Sequence, residues 1–297
     1  MRCMPFTRYG RLRHYTCAYA KHPNPHRPRR RTKQENNIQR RYIAHNMEKQ
    51  IAFIIQARLA STRLPNKIML PFWEEATILD ILINKLKRFK NCSIILATSN
   101  SPTNLPLVKY AQQAGISYFQ GDESDVLKRF IDAAESQHIE HIIRICSDNP
   151  FLDIYAIEQL LFSIKDNDSY DYISFSVNNQ PSIKTHFGFW TEYVTLKALK
   201  QVAASTNEAL YHEHVTNYIY SHPSDFQIKW LPVPECITNR YDIRLTIDTE
   251  NDFRISQTIY SDLHKTHIPT IEDIVKYIDQ HPQYLSCMQK EIINNTK

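Results

Sequence analysis

From Lys49 onward, short apolar runs alternate with longer amphipathic ones. Ile51 to Gln56 (IAFIIQ) is apolar nearly throughout and predicts a strand buried on both faces. In Thr77 to Phe89, Ile78, Leu82 and Leu86 share one helical face, with Lys85, Lys87 and Arg88 off it and Thr77 suited to cap the start. Cys92 to Thr98 predicts a second strand, and Thr103 to Ala114 a helix that Gly115 ends. Ile116 to Phe119 is a third strand and Asp125 to Ser136 a helix. His141 to Cys146 is a fourth strand, which Ser147-Asp148-Asn149-Pro150 breaks sharply. Ile154 to Ile164 then reads as helix and Tyr170 to Ser176 as a fifth strand. The second half is less regular. Phe187 to Trp190 reads as a short strand or turn, Glu192 to Ala203 and Glu208 to Tyr220 as helices, and Phe226 to Leu231 and Ile243 to Ile247 as strands. Asp252 to Leu263 and Ile271 to Ile278 are terminal helices, the latter capped by Thr270.

Strands alternating with helices in this way indicate βαβ units: an α/β fold with a mostly parallel sheet flanked by helices. Ligands of such sheets lie beyond the carboxyl ends of the strands. The polar clusters fall there: the loop after strand one, Thr98-Ser99 after strand two, Gly121-Asp122-Glu123 after strand three and Asp148 after strand four.

Charge changes the picture at one end only. The net charge is +5, but residues 1–46 hold twelve Lys/Arg against one acid, an excess of 11 that leaves −6 for the remainder. That segment lacks either periodicity and contains the breaker run HPNPHRPRRR from His22. It is expected to be a disordered basic leader or an upstream over-read, with Met47 as the natural start of one domain over 47–297. The apolar content of 42% is ordinary for a soluble chain, and no run approaches the ~20 apolar residues of a membrane span. Six scattered cysteines without a C-x-x-C pair argue against a zinc site, and without a secretory signal they argue against disulfides, so the expected compartment is the cytoplasm.

With four glycines, the chain has no glycine-rich phosphate loop. It has cations instead. After the first strand, Arg58, Arg63 and Lys67 arrive within a stretch of ten residues that also holds Ala60, Ser61, Thr62 and Asn66. A buried strand feeding such a loop suits a polyanion, most economically a nucleoside triphosphate, and amides of 60–62 can add an anion nest. Asp148 and Asp248 each follow an apolar run directly. Two carboxylates at strand ends suit Mg²⁺, which takes one or two carboxylates with phosphate and water, although either one can instead cap the helix that follows. His212-Glu213-His214 has its histidines two apart, on different faces, so substrate contact is a better reading than a metal cluster. Thr185 to Trp190 (THFGFW) lines a sugar pocket or belongs to the core.

Five ordered segments carry a resemblance: IIQARLASTRLPNK from Ile54, FQGDESDVLKRF from Phe119, RICSDNPFLD from Arg144, YHEHVTNYI from Tyr211 and RLTIDTENDF from Arg244. Together they resemble the cytidylyltransferases of the spore-coat polysaccharide (SpsF-like) type, relatives of acylneuraminate cytidylyltransferase and CMP-Kdo synthetase. The resemblance implies a nucleotide-diphospho-sugar transferase (glycosyltransferase-A, Rossmann-like) fold. It implies that a sugar acid or sugar phosphate attacks the α-phosphate of CTP, with Mg²⁺ present and pyrophosphate leaving. Arg58, Ser61, Thr62, Arg63 and Lys67 would then hold the triphosphate, and Asp148 and Asp248 the metal. Thr98, Ser99 and Asp125 would lie by the base and ribose, and His186, Glu192, Glu213 and His214 by the acceptor. Residues 177–240 would form an acceptor-binding or dimerisation insertion, since family members are often homodimers. The chain departs from the family at Asn66, where glycine is usual, at Ser147-Asp148-Asn149-Pro150 for Gly-Asp-Cys-Pro, and at THFGFW in the acceptor region.

Three other readings compete. A glycosyltransferase of the same fold that consumes a nucleotide sugar has less use for Arg63 and Lys67. A nucleic-acid binder acting through the leader is opposed by the acidic remainder. A catalytically silent scaffold is opposed by the intact Arg63, Lys67, Asp148 and Asp248.

Overall fold

The computed structural model describes residues 50–166, 169–265 and 268–295. The basic segment 1–46 lies outside the described residues. The strands are β1 (Ile51–Gln56), β2 (Pro71–Trp73), β3 (Ala76–Thr77), β4 (Ser93–Ser99), β5 (Ser117–Gly121), β6 (His141–Cys146), β7 (Tyr172–Val177), β8 (Gln180–Pro181), β9 (Glu192–Thr195) and β10 (Ile228–Leu231). The helices are α1 (Ile78–Leu86), α2 (Leu105–Ala114), α3 (Val126–Glu135), α4 (Ile154–Asp166), α5 (Leu196–Ser205), α6 (Ala209–Glu213), α7 (Asn217–Ser221), α8 (Glu250–Leu263), α9 (Ile271–Asp279) and α10 (Pro282–Asn294).

The main sheet runs β10-β7-β9-β6-β1-β4-β5, with β8 on β7. β5, β4, β1 and β6 run parallel to one another, while β9 runs antiparallel to both β6 and β7. β1 sits between β4 and β6, which is why its side chains are apolar on both faces. Phe53 and Ile55 join a core with Leu82 of α1, Leu160 of α4 and Phe253 of α8. Ala52 and Ile54 face the other way, onto Phe130 of α3 and Leu199 of α5. No helix among the described residues is long and apolar enough to cross a membrane.

The second half departs from the periodicity in four places. Glu192 to Thr195, expected as the start of a helix, is β9: the aromatic and β-branched residues Tyr193 and Val194 pair with β6 and β7. The helix begins only after Thr195, whose side chain accepts from Ala198 N at 3.0 Å. The expected helix over 208–220 is two short ones, α6 and α7. Ile243 to Ile247 is not a strand. Its apolar residues are buried, but its amides bond to loops: Leu245 N to His186 O at 2.8 Å and Ile247 N to Asp148 O at 3.0 Å. Finally, α10 was not anticipated, because Met288 is its one buried residue and gives the helix little apolar stripe. The segment 177–240 supplies β8, β9 and β10, so it is built into the sheet.

Candidate functional site

Beyond β1 the chain leaves the sheet through a loop pinned from below. Leu59 N donates to Asn104 Oδ1 at 2.9 Å, and Asn104 Nδ2 donates to Ser99 Oγ at 2.7 Å. Asn104, Thr98 and Ser99 are buried, so Ser99 bears on the loop through Asn104, while the Thr98 hydroxyl makes no hydrogen bond. Within the loop, Ser61 N and Asn66 N both donate to Leu59 O, at 2.8 and 3.0 Å. The Ser61 amide is therefore committed inside the loop, and Thr62 is exposed. Asn66 has φ 59° and ψ 13°, the left-handed conformation that glycine takes most readily and asparagine next.

That turn starts a short 3-10 segment, Lys67–Met69, and directs Lys67 inward. The Lys67 ammonium stands 3.5 Å from Asp148 Oδ2 and 3.3 Å from Asp248 Oδ1, and donates to Ile247 O. Arg63, more exposed, is 3.4 Å from Asp248 Oδ1 and donates to Asn295 Oδ1 at 2.5 Å. Four of the expected residues thus converge on one point. Arg58 is exposed and faces the buried Arg129 guanidinium, whose pKa is lowered first by burial and then by the Arg58 charge.

Neither aspartate is tied up as a cap. Thr249 caps α8, in a reciprocal box with Asp252. At α4 it is Asp153 Oδ2 that accepts from Ala156 N, at 3.0 Å. Asp148 is set by Ser147, whose hydroxyl donates to Gln56 O at 2.7 Å, and by its own carbonyl on Ile247 N. Asp248 is set by Arg244, which donates from Nη2 to Asp248 Oδ2 at 2.9 Å and from Nε to Asp252 Oδ1 at 2.7 Å. Desolvation acts to lower the Arg244 pKa, but the paired Asp252 and Asp248 outweigh it and leave the guanidinium above its usual value. Arg244 was missed in the sequence. Its signal is the repeated spacing of four, Arg244, Asp248, Asp252.

A metal fits this donor set. Two carboxylates from separate loops face the same cationic centre. Among the described residues no cluster of three or more metal-ligating side chains occurs, so other ligands would have to come from outside the protein. That arrangement suits a hard divalent ion completed by phosphate and water.

The acceptor candidates are dispersed. His186 Nδ1 lies 2.7 Å from Arg244 Nη1. A guanidinium only donates, so Nδ1 accepts and the ring proton sits on Nε2. Glu192 is buried and takes Arg144 at 2.6 Å, Thr216 at 2.8 Å and the Tyr172 hydroxyl. It therefore anchors the Thr216 segment from inside. Glu213 and His214 are exposed at the end of α6. Asp125 caps α3 through Lys128 N at 2.8 Å and meets His212 Nδ1 at 2.9 Å. The Thr206 carbonyl on Nε2 and then Asp125 raise the His212 pKa against the effect of burial.

The model of the cytidylyltransferase family matches residues 52–293 of this chain. Spore coat polysaccharide biosynthesis protein SpsF of Bacillus subtilis is 30% identical over 239 residues, covering 78% of this chain and 95% of its own. An uncharacterized protein of Methanocaldococcus jannaschii is 34% identical over 232 residues, covering 77% and 90%. Among solved structures, a cytidylyltransferase from Leptospira borgpetersenii superposes with a TM-score of 0.68 at 24% identity, over 80% of this chain and 97% of that one. A CMP-2-keto-3-deoxy-manno-octonic acid synthetase complexed with CTP gives 0.56 at 12% identity, over 72% and 100%. These two likenesses bear on the fold, a mixed, mostly parallel nucleotide-diphospho-sugar transferase architecture.

Proposed function

The chain belongs to the cytidylyltransferase family, and from that premise we propose that it couples CTP to a sugar acid or sugar phosphate. Pyrophosphate is released, and the setting is surface polysaccharide biosynthesis in the cytoplasm. The observation that carries this reading is the Lys67 ammonium between Asp148 and Asp248. Cations and a metal-competent carboxylate pair at one sheet end suit the transfer of a nucleotidyl group better than the use of a finished nucleotide sugar.

Arg63 and Lys67 hold the β- and γ-phosphates, with Arg58, Ser61 and Thr62 completing the loop around them. Asp148 and Asp248 would hold a divalent ion, Mg²⁺ in this reading, which when bound would offset charge on the leaving pyrophosphate. Thr98 and Ser99 form the floor under the nucleoside and Asp125 its rim. The acceptor oxygen attacks the α-phosphate in a single displacement, and no covalent enzyme intermediate is needed. In this reading His186, Glu213 and His214 approach the acceptor, and Glu192 braces the Thr216 segment from within.

A pyrophosphate-release assay with CTP and Mg²⁺ against a panel of sugar acids and sugar phosphates tests the reading. Release with CTP and one acceptor class supports it. Consumption of CMP- or UDP-sugars without use of free CTP would replace it with glycosyl transfer.

A further inference from the structure

Periodicity placed Lys85 of α1 off the apolar face, yet its ammonium is used inside the fold. It donates to Pro150 O at 2.7 Å and to Leu152 O at 3.0 Å, and lies 5.8 Å from the centroid of the Tyr260 ring. Both carbonyls belong to the turn that starts with Ser147 and carries Asp148. The turn is thus tied on three sides: at Ser147 to β1, at Asp148 O to Ile247 N, and at Pro150 and Leu152 to α1. Lys85 supplies the tie that comes from a charged side chain. Asp153 is the charge that acts on it, and Glu272 of α9 acts on Asp153 in turn.

Resting on the reading above, we infer that Lys85 is a positioning residue of the nucleotide site: by clamping Pro150 and Leu152 it sets the Asp148 carboxylate for a metal-bound triphosphate. Two features favour this over a merely structural lysine. The ammonium directs both of its hydrogen bonds to the turn that carries the candidate metal carboxylate. Its enclosure is costly, since burial pulls its pKa down to about 7 against the raising effect of Asp153, and costly buried charges concentrate at functional sites.

The test is Mn²⁺ binding, followed without turnover by electron paramagnetic resonance, and Mn²⁺–CTP affinity by calorimetry, on the full chain. Outer-shell partners of metal ligands typically matter by about 10–100-fold. Lys85→Met is expected to weaken both affinities within that range while unfolding cooperatively, and Lys85→Arg, which keeps the cation, to restore them. If Lys85→Met does not fold, Lys85→Gln must show the loss. Lys85→Met or Lys85→Gln, folded and binding Mn²⁺–CTP as tightly as the native protein, overturns the inference. A native protein that binds neither Mn²⁺ nor CTP removes the proposed function itself, and this inference with it.

Discussion

Arg244 Nη2 donates to Asp248 Oδ2 at 2.9 Å, which leaves Oδ1 of the same carboxylate turned toward Lys67 and Arg63. One oxygen is structural and the other faces the site. Replacing Arg244 should therefore separate stability from function. Arg244→Ala strands the buried Asp252 carboxylate, and breaking a buried pair costs about 3–5 kcal/mol. Denaturant unfolding should show a loss of that size. Arg244→Lys keeps the charge but not the fork, so it should retain more stability than Arg244→Ala and still impair CTP use.

Lys67→Met and Asp248→Asn should each lower the rate of pyrophosphate release by about 100–1,000-fold, the size typical of losing one preorganised electrostatic group. Circular dichroism should show both folded. Native-like turnover by either variant would sink the assignment of the site.

The His212 imidazole should titrate above the usual histidine value, because both ring nitrogens have acceptors, Thr206 O and Asp125. A raised folded pKa means that this contribution to stability is complete below the unfolded value of ~6.5 and fades as pH rises through the folded one. NMR titration of the ring checks it, and Asp125→Asn should move the midpoint down.

Lys85 works in the opposite direction. Its folded pKa near 7 lies below the unfolded value of ~10.4, so the unfolded chain binds the extra proton between them. This group makes stability rise with pH across that window, by at most about 1.4 kcal/mol per pH unit. Lys85→Met should flatten the slope in denaturant melts at pH 7, 8 and 9; an unchanged slope would place the charge elsewhere.

Asn66 and Gly188 both have positive φ, at 59° and 70°. Asn66→Gly should be neutral or slightly stabilising, whereas Asn66→Ala should cost about 1 kcal/mol. Gly188→Ala should cost more, because an added Cβ also meets Asn149 Oδ1 at 3.2 Å and the Leu245 backbone at 3.3 Å. Thermal melts of the three variants give the order.

The parallel half of the sheet was legible because β1, β4 and β6 are covered by helices on both faces, which makes such strands mostly apolar runs. Arg63, Lys67 and Asp148 were legible as types after strands, and Asp248 as a type after an apolar run that is not a strand, although only the fold shows them meeting. What escaped was whatever depends on partners distant in sequence. Ile243 to Ile247 alternates apolar and polar residues like a strand, but all five are buried and its amides serve two loops instead of a ladder. Glu192 looked like a helix start because it precedes one, yet Arg144, Tyr172 and Thr216 hold it in the core. Lys85 is polar in a polar context, and nothing local marks its ammonium as turned inward.

The antiparallel β9 has a consequence for engineering. β7 ends at Val177 and β9 begins at Glu192, and the two strands lie side by side. Residues 178–191, which carry β8 and His186, form a single connection between these two adjacent strands. Such an excursion can be exchanged between relatives as a cassette without rethreading the chain. It also carries part of the core, with Trp190 stacked on Phe175 at 6.0 Å. A graft that changes residues 178–191 must bring a matching residue at position 175.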